Sequence, residues 1–178
     1  SDLWRYFSVN DSKRISKMIF VDQPPVLTAQ AGWSAEECEQ YGAIFTATAI
    51  DETCSALAGT EAKQATRNLL SAMFTENYFA QPAEWLVGEN MKLRRTNAVN
   101  LLRDHCRQDW RDVIKNIDVP CLIVGGRASL MPWQSQQWLD DTIRDSKLFI
   151  FEENEGGQHF MFLENPATFN KIVCNFCQ

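Results

Sequence analysis

Histidine is scarce in this chain: among 178 residues only His105 and His159 carry an imidazole. That scarcity excludes a metal centre built on several imidazoles. Basic blocks are also missing. Lys and Arg number 17 against 23 Asp and Glu, a net charge of −6. Nucleic acid and anionic membrane surfaces are therefore excluded as partners. No apolar run reaches the length that spans a bilayer, and no signal-peptide pattern opens the chain. Neither an internal repeat nor a low-complexity segment is present. What remains is ordinary for one globular domain with a sizeable core, at 45% hydrophobic and 22% charged residues.

The six cysteines, Cys38, Cys54, Cys106, Cys121, Cys174 and Cys177, are scattered rather than framed as a disulfide pattern. Cys121 falls in an apolar strand and packs there as a small hydrophobe. Cys174-x-x-Cys177 lies on a C-terminal helix with no second ligand pair, so no metal is implied. Reduced, mostly buried thiols point to the cytoplasm.

Periodicity gives an α/β pattern. Leu3-Trp4-Arg5-Tyr6-Phe7 has helical spacing and breaks at Val9-Asn10-Asp11. Strands are expected over about 15–21, 119–125 and 148–152. Asp22-Gln23-Pro24-Pro25 ends the first, since the prolines forbid further pairing. Between the first two strands the chain is helical, with candidates at 34–53, 60–74, 82–88 and 91–105. Ser34-Ala35-Glu36-Glu37 marks an N-cap with acidic residues in the first turn. A helix over 132–144, begun by Pro132, and another from Pro166 to about Cys177 complete a βαβ pattern with parallel strands.

The most informative stretch is Glu152 to Pro166. The apolar run Leu148 to Phe151 leads into a loop with Gly156 and Gly157, then His159, then a helix start. A histidine on a loop just past a buried strand is placed to act as a general base. His105, in Asp104-His105-Cys106, is read as a surface or packing residue outside the site. Ser1 invites comparison with enzymes whose terminal amine activates its own side chain. An amphipathic helix follows it, however, where such enzymes begin with a strand.

The histidine segment resembles that of the α/β-hydrolase family, with its small-residue turn, His, apolar pair and Glu-x-Pro. Further landmarks follow in family order. Arg14 to Asp22 looks like the sixth strand, and Val119-Pro120-Cys121-Leu122-Ile123-Val124-Gly125-Gly126 like the seventh. Leu148 to Glu152 looks like the eighth. The resemblance implies a partial α/β-hydrolase fold, corresponding to the C-terminal two thirds of the family. Residues 1–27 and 109–178 would form the core domain, and 28–108 a helical cap inserted after the first strand present. The family's Gly-x-Ser-x-Gly elbow is absent, so the nucleophile would lie upstream of Ser1 or on a companion chain. Where the family usually carries its acid, Gly126-Arg127-Ala128-Ser129 places a serine, which cannot stabilise an imidazolium as a carboxylate does. Asp22 stands where some members, including certain haloalkane dehalogenases, place the acid instead. It could orient His159, or simply cap the turn before Pro24.

The expected function is hydrolysis of an ester, amide or related bond in a small apolar molecule, without metal or cofactor. His159 and Asp22 are the catalytic candidates. Trp33, Trp133 and Phe160 flank the loops that would ring the substrate, although core or lid packing also explains them. The competing reading is a truncated or degenerate relative that binds another protein through the flank of its sheet. A lyase or haloperoxidase-like activity on the same scaffold is a third reading.

Overall fold

In the computed structural model, which describes residues 2–10 and 14–178, the chain opens with helix α1 (Asp2–Val9) and strand β1 (Met18–Val21). Ser1 and Asp11, both used in the sequence reading, lie outside the described residues. A long helical segment follows: α2 (Ala35–Tyr41), α3 (Ala47–Ala58), α4 (Ala62–Ser71), α5 (Glu76–Phe79), α6 (Ala83–Met91) and α7 (Arg95–Cys106). The chain then returns through α8 (Arg111–Ile114) to β2 (Cys121–Gly126), α9 (Trp133–Thr142) and β3 (Ser146–Phe151). It closes with α10 (Met161–Glu164) and α11 (Pro166–Cys177).

The three strands form one parallel sheet in the order β1-β2-β3, the arrangement that the βαβ pattern predicts. All six residues of β2 are buried. Its side chains alternate between two apolar layers, as a strand covered on both faces requires. Cys121 and Ile123 join Trp4, Phe20, Ile114 and Leu139 on one face. Leu122 and Val124 meet Phe151, Met161 and the inner stripe of α11 on the other. Truncating Ile123 to alanine here would cost about 2–5 kcal/mol.

The first candidate helix, 34–53, is two helices in the structure. Ser34 and Glu37 form a reciprocal cap, with Glu37 N–H donating to Ser34 Oγ at 3.2 Å and Ser34 N–H to Glu37 Oε2 at 2.7 Å. Gly42, at φ 77°, then ends α2 in the left-handed conformation. A side chain there would overlap Pro24, so the turn is also where the helical segment is pressed onto the end of β1. Thr46 caps α3 by accepting from Ala49 N–H at 3.2 Å.

Both ends of the helical segment are strapped together. Val26 and Asp109 form an antiparallel bridge, and Trp110 N–H donates to the Pro25 carbonyl at 3.1 Å. No described helix is long and apolar enough to cross a membrane.

All six cysteines are free thiols. Burial, with the Asp145 charge nearby, pushes the Cys121 thiol up to about 12. Burial, reinforced by Cys54, pushes Cys106 up to about 11. Cys174 and Cys177 are exposed on α11. Since the thiolate is the reactive form, we predict that a thiol reagent at pH 8 modifies Cys174 and Cys177 readily. Cys106 and Cys121 should react only on unfolding, and peptide mapping of the labelled protein would check this.

Candidate active site

Strand β1 delivers Asp22 to the end of the sheet. Its N–H donates to the Val124 carbonyl at 2.7 Å, extending the β1–β2 ladder by one bond. Its φ of +49° then turns the chain out of the sheet, a conformation that aspartate tolerates better than most side chains do. The Asp22 side chain is entirely buried.

The loop after β3 delivers His159. Gly156, at φ 80°, follows a single 3-10 turn, and Gly157 packs directly against Gly126 at the end of β2. A Cβ on Gly126 would overlap the Gly157 carbonyl, so this close approach requires the glycine. Arg127 N–H donates to the Phe151 carbonyl at 2.8 Å and Ala128 N–H to the Gly157 carbonyl at 3.0 Å, which locks the two loops together.

These placements bring His159 Nδ1 within 2.7 Å of Asp22 Oδ2, across 137 residues of sequence. Ser129 completes the arrangement from the loop after β2. Its hydroxyl donates to the same Asp22 oxygen and accepts from Met131 N–H, the latter at 3.0 Å. Ser129 and His159 thus bond to the same carboxylate oxygen. Asp22 Oδ1 is buried with no partner among the described residues. Holding Nδ1 on a carboxylate leaves the other ring nitrogen, Nε2, to exchange a proton with a reacting group.

Asp22 and His159 open onto a cavity of about 170 Å³. Its wall is mostly apolar, with Leu27, Ile44, Phe45, Leu69, Met73 and Leu130 contributing. His105, from the last turn of α7, also faces it, although the sequence reading left that residue outside the site. Burial lowers the pKa of His105 below its ordinary 6.5. A larger groove of about 350 Å³, lined among others by Asp51, Arg103, Arg107 and Asp109, contains neither Asp22 nor His159.

None of the three aromatic candidates lines the apolar cavity. Trp33 and Tyr41, in contact with each other at 5.1 Å, both take the Arg111 guanidinium, at 4.9 and 4.7 Å, and Arg111 pairs with Asp109 at 2.6 Å. Hydrogen bonding to Arg111 holds the Asp109 carboxyl below its usual range. Trp133 covers Arg127 at 4.2 Å, which pairs with Glu152 at 3.1 Å. Phe160 packs edge-on to the His159 ring at 4.8 Å and against Phe74 at 4.8 Å. It thereby couples the histidine loop to the helical segment. Glu164 strengthens that coupling by accepting from Thr75 N–H at 2.8 Å and Thr75 Oγ at 2.6 Å. No local signal marks Glu164 for this role, because its partner lies 89 residues away.

Several solved structures superpose on the chain over nearly its full length. A bromoperoxidase from Bacillus anthracis matches at a TM-score of 0.83 and 17% identity, over 99% of this chain and 63% of that one. An esterase from Exiguobacterium antarcticum matches at 0.83 and 19%, over 99% and 62%. MenH from S. aureus matches at 0.72 and 16%, over 97% and 62%. This is part of an α/β-hydrolase fold. The chain spans about three fifths of the length of these structural neighbours. No protein-family model and no curated protein sequence matches it.

The bond from Ser129 generates a prediction. Ser129→Ala should cost about 1 kcal/mol of stability, the ordinary loss for one hydrogen bond. It should also loosen the carboxylate and lower the share of His159 protonated on Nδ1. Nitrogen-15 NMR of the ring would read this cleanly, because only two histidines contribute signals.

Proposed function

We propose that the chain is the histidine-bearing portion of a cofactor-independent hydrolase. The enzyme cleaves an ester, amide or related bond in a small, largely apolar substrate. The observation that carries this reading is the 2.7 Å contact between His159 Nδ1 and the buried Asp22 carboxylate. In this reading residues 28–108 form a lid over the cavity, and the nucleophile comes from a segment upstream of α1.

Three features support completion by such a segment. Strand β1 is the outer strand of the sheet and offers an unpaired edge. Asp22 Oδ1 lacks the donor that a buried carboxylate oxygen calls for. Asp2 and Arg5 of α1 share a groove with Asp104 and Gln108 of α7, so polypeptide entering α1 arrives beside the end of α7 that carries His105.

The chemistry follows from these positions. His159 Nε2 takes the proton of the nucleophile's hydroxyl as its oxygen bonds to the substrate's carbonyl carbon. The developing imidazolium is held by Asp22. Nε2 then returns the proton to the departing alcohol or amine as the carbon–heteroatom bond breaks, leaving an acyl-enzyme. Water repeats the cycle from the same nitrogen and releases the acid. Six free thiols, two of them exposed on α11, suit a reducing compartment such as the cytoplasm.

The unpaired β1 edge favours a second reading, a non-catalytic module that pairs with another chain. One experiment separates the two. The protein extended upstream through its elbow is assayed with p-nitrophenyl butyrate, alongside His159→Ala and Asp22→Asn. The hydrolase reading expects turnover that His159→Ala abolishes and Asp22→Asn lowers by about 10⁴ in kcat with KM little changed. Turnover indifferent to His159, or none with any short ester, would favour the binding module.

A further inference from the structure

Of the titratable groups at the apolar cavity, Asp22 and His159 are bonded to each other, and His105 is not. The neighbours of His105 on α7 are occupied. Asp104 accepts from Gln108 at 3.3 Å, and the Cys106 carbonyl accepts from Thr28 at 2.6 Å. The His105 ring takes part in neither of these, nor in any other side-chain hydrogen bond among the described residues. Burial keeps the ring neutral at neutral pH, with one nitrogen donating and the other accepting. Leu69, Met73, Leu102 and Leu130 line the same cavity, and the charges of Asp104 and Asp2 also act on the ring. An imidazole lining a mostly apolar cavity is costly when a purely aliphatic group fills the space and its nitrogens find no partner.

The rest of the lining narrows what that partner can be. Among the described residues no Lys or Arg lines the cavity, while Asp22 does. A carboxylate or phosphate entering it would meet a second carboxylate and no cation. An ammonium ion would have to leave water for a largely apolar wall. The group that suits the site is uncharged and forms hydrogen bonds. At about 170 Å³ the cavity also lies below the roughly 300–1,000 Å³ typical of pockets for drug-sized ligands. The group that enters this part of the site is therefore small.

We infer that His105 is a substrate-recognition residue, and that the cavity takes a short aliphatic acyl group bearing one hydroxyl, which bonds to the His105 ring. The word acyl rests on the hydrolase reading above. The hydroxyl preference rests on the cavity alone. His159 and His105 thus divide the work: the first exchanges a proton with the reacting bond, and the second selects what lies beneath the helices.

The test compares p-nitrophenyl 3-hydroxybutyrate with p-nitrophenyl butyrate on the upstream-extended protein. The expected result is a kcat/KM for the hydroxy ester about tenfold or more above the plain ester, the scale set by a buried polar group left unpaired. His105→Leu should erase that preference, raising KM of the hydroxy ester and lowering that of the plain ester, which no longer leaves an imidazole unpaired. His105→Gln, which keeps a donor and an acceptor, should retain much of the preference. Equal kcat/KM for the two esters in the unaltered protein overturns the inference, and so does a His105→Leu variant that slows both equally. Absence of turnover with either ester counts against the hydrolase reading, and recognition is then judged by binding. In nitrogen-15 NMR of the two histidines, 3-hydroxybutyramide should shift the His105 ring while butyramide does not. No shift, or an equal shift with both amides, overturns the inference independently of catalysis.

Discussion

A single buried carboxylate organises the end of the sheet where the three strands' following loops meet. Removing a charged group from water costs several kcal/mol unless hydrogen bonds replace those lost. Asp22 receives its replacements from two loops, Ser129 after β2 and His159 after β3, while its own strand ends at the same point. The three strand ends must therefore agree in register. Val21 lies opposite Val124, and Val124 opposite Phe149. A slip of one residue in β1 would turn Asp22 to the other face of the sheet and separate it from both partners. Apolar packing on both faces of β2 holds that register, so the core and the site depend on each other.

Close contact between loops is what carries this order from the sheet to the histidine. Gly126 and Gly157 let the ends of β2 and β3 touch through bare backbone. The hydrogen bonds around them fix the path of the chain into His159. Ser129 then occupies a place from which a carboxylate would have repelled Asp22. A serine there and an aspartate at the end of β1 are two halves of one solution, since the hydroxyl donates where a second acid could not.

Much of the fold is legible in the sequence because parallel, doubly covered strands are strongly apolar. Met18-Ile19-Phe20-Val21 and Cys121-Leu122-Ile123-Val124 can hardly be anything else. The sequence singled out His159 from its loop and Asp22 through the family resemblance, and the structure brings the two into contact. Less legible were features set by distant contacts. Apolar spacing runs through Gly42-Ala43-Ile44-Phe45, so nothing local announces that α2 and α3 are separate; the turn is fixed where Gly42 meets Pro24. Trp33 and Trp133 gave no sign that arginines would claim their faces. His105 looked like a surface residue, because only the folding of α7 over the strand ends brings it to the same cavity as Asp22.

The bonds joining Thr75 to Glu164 and Phe160 to Met73 bear on how anything reaches that cavity. Together with the strap between Val26 and Asp109, they pin the helical segment at opposite corners. A hinged swing of the whole segment would break three hydrogen bonds at one corner, at about 1 kcal/mol each. It would also drag Phe160, and with it the His159 ring, out of place. Met73 and Met131, which line the cavity, have unbranched thioethers that rearrange easily, so the cavity can change shape while the segment around it stays pinned.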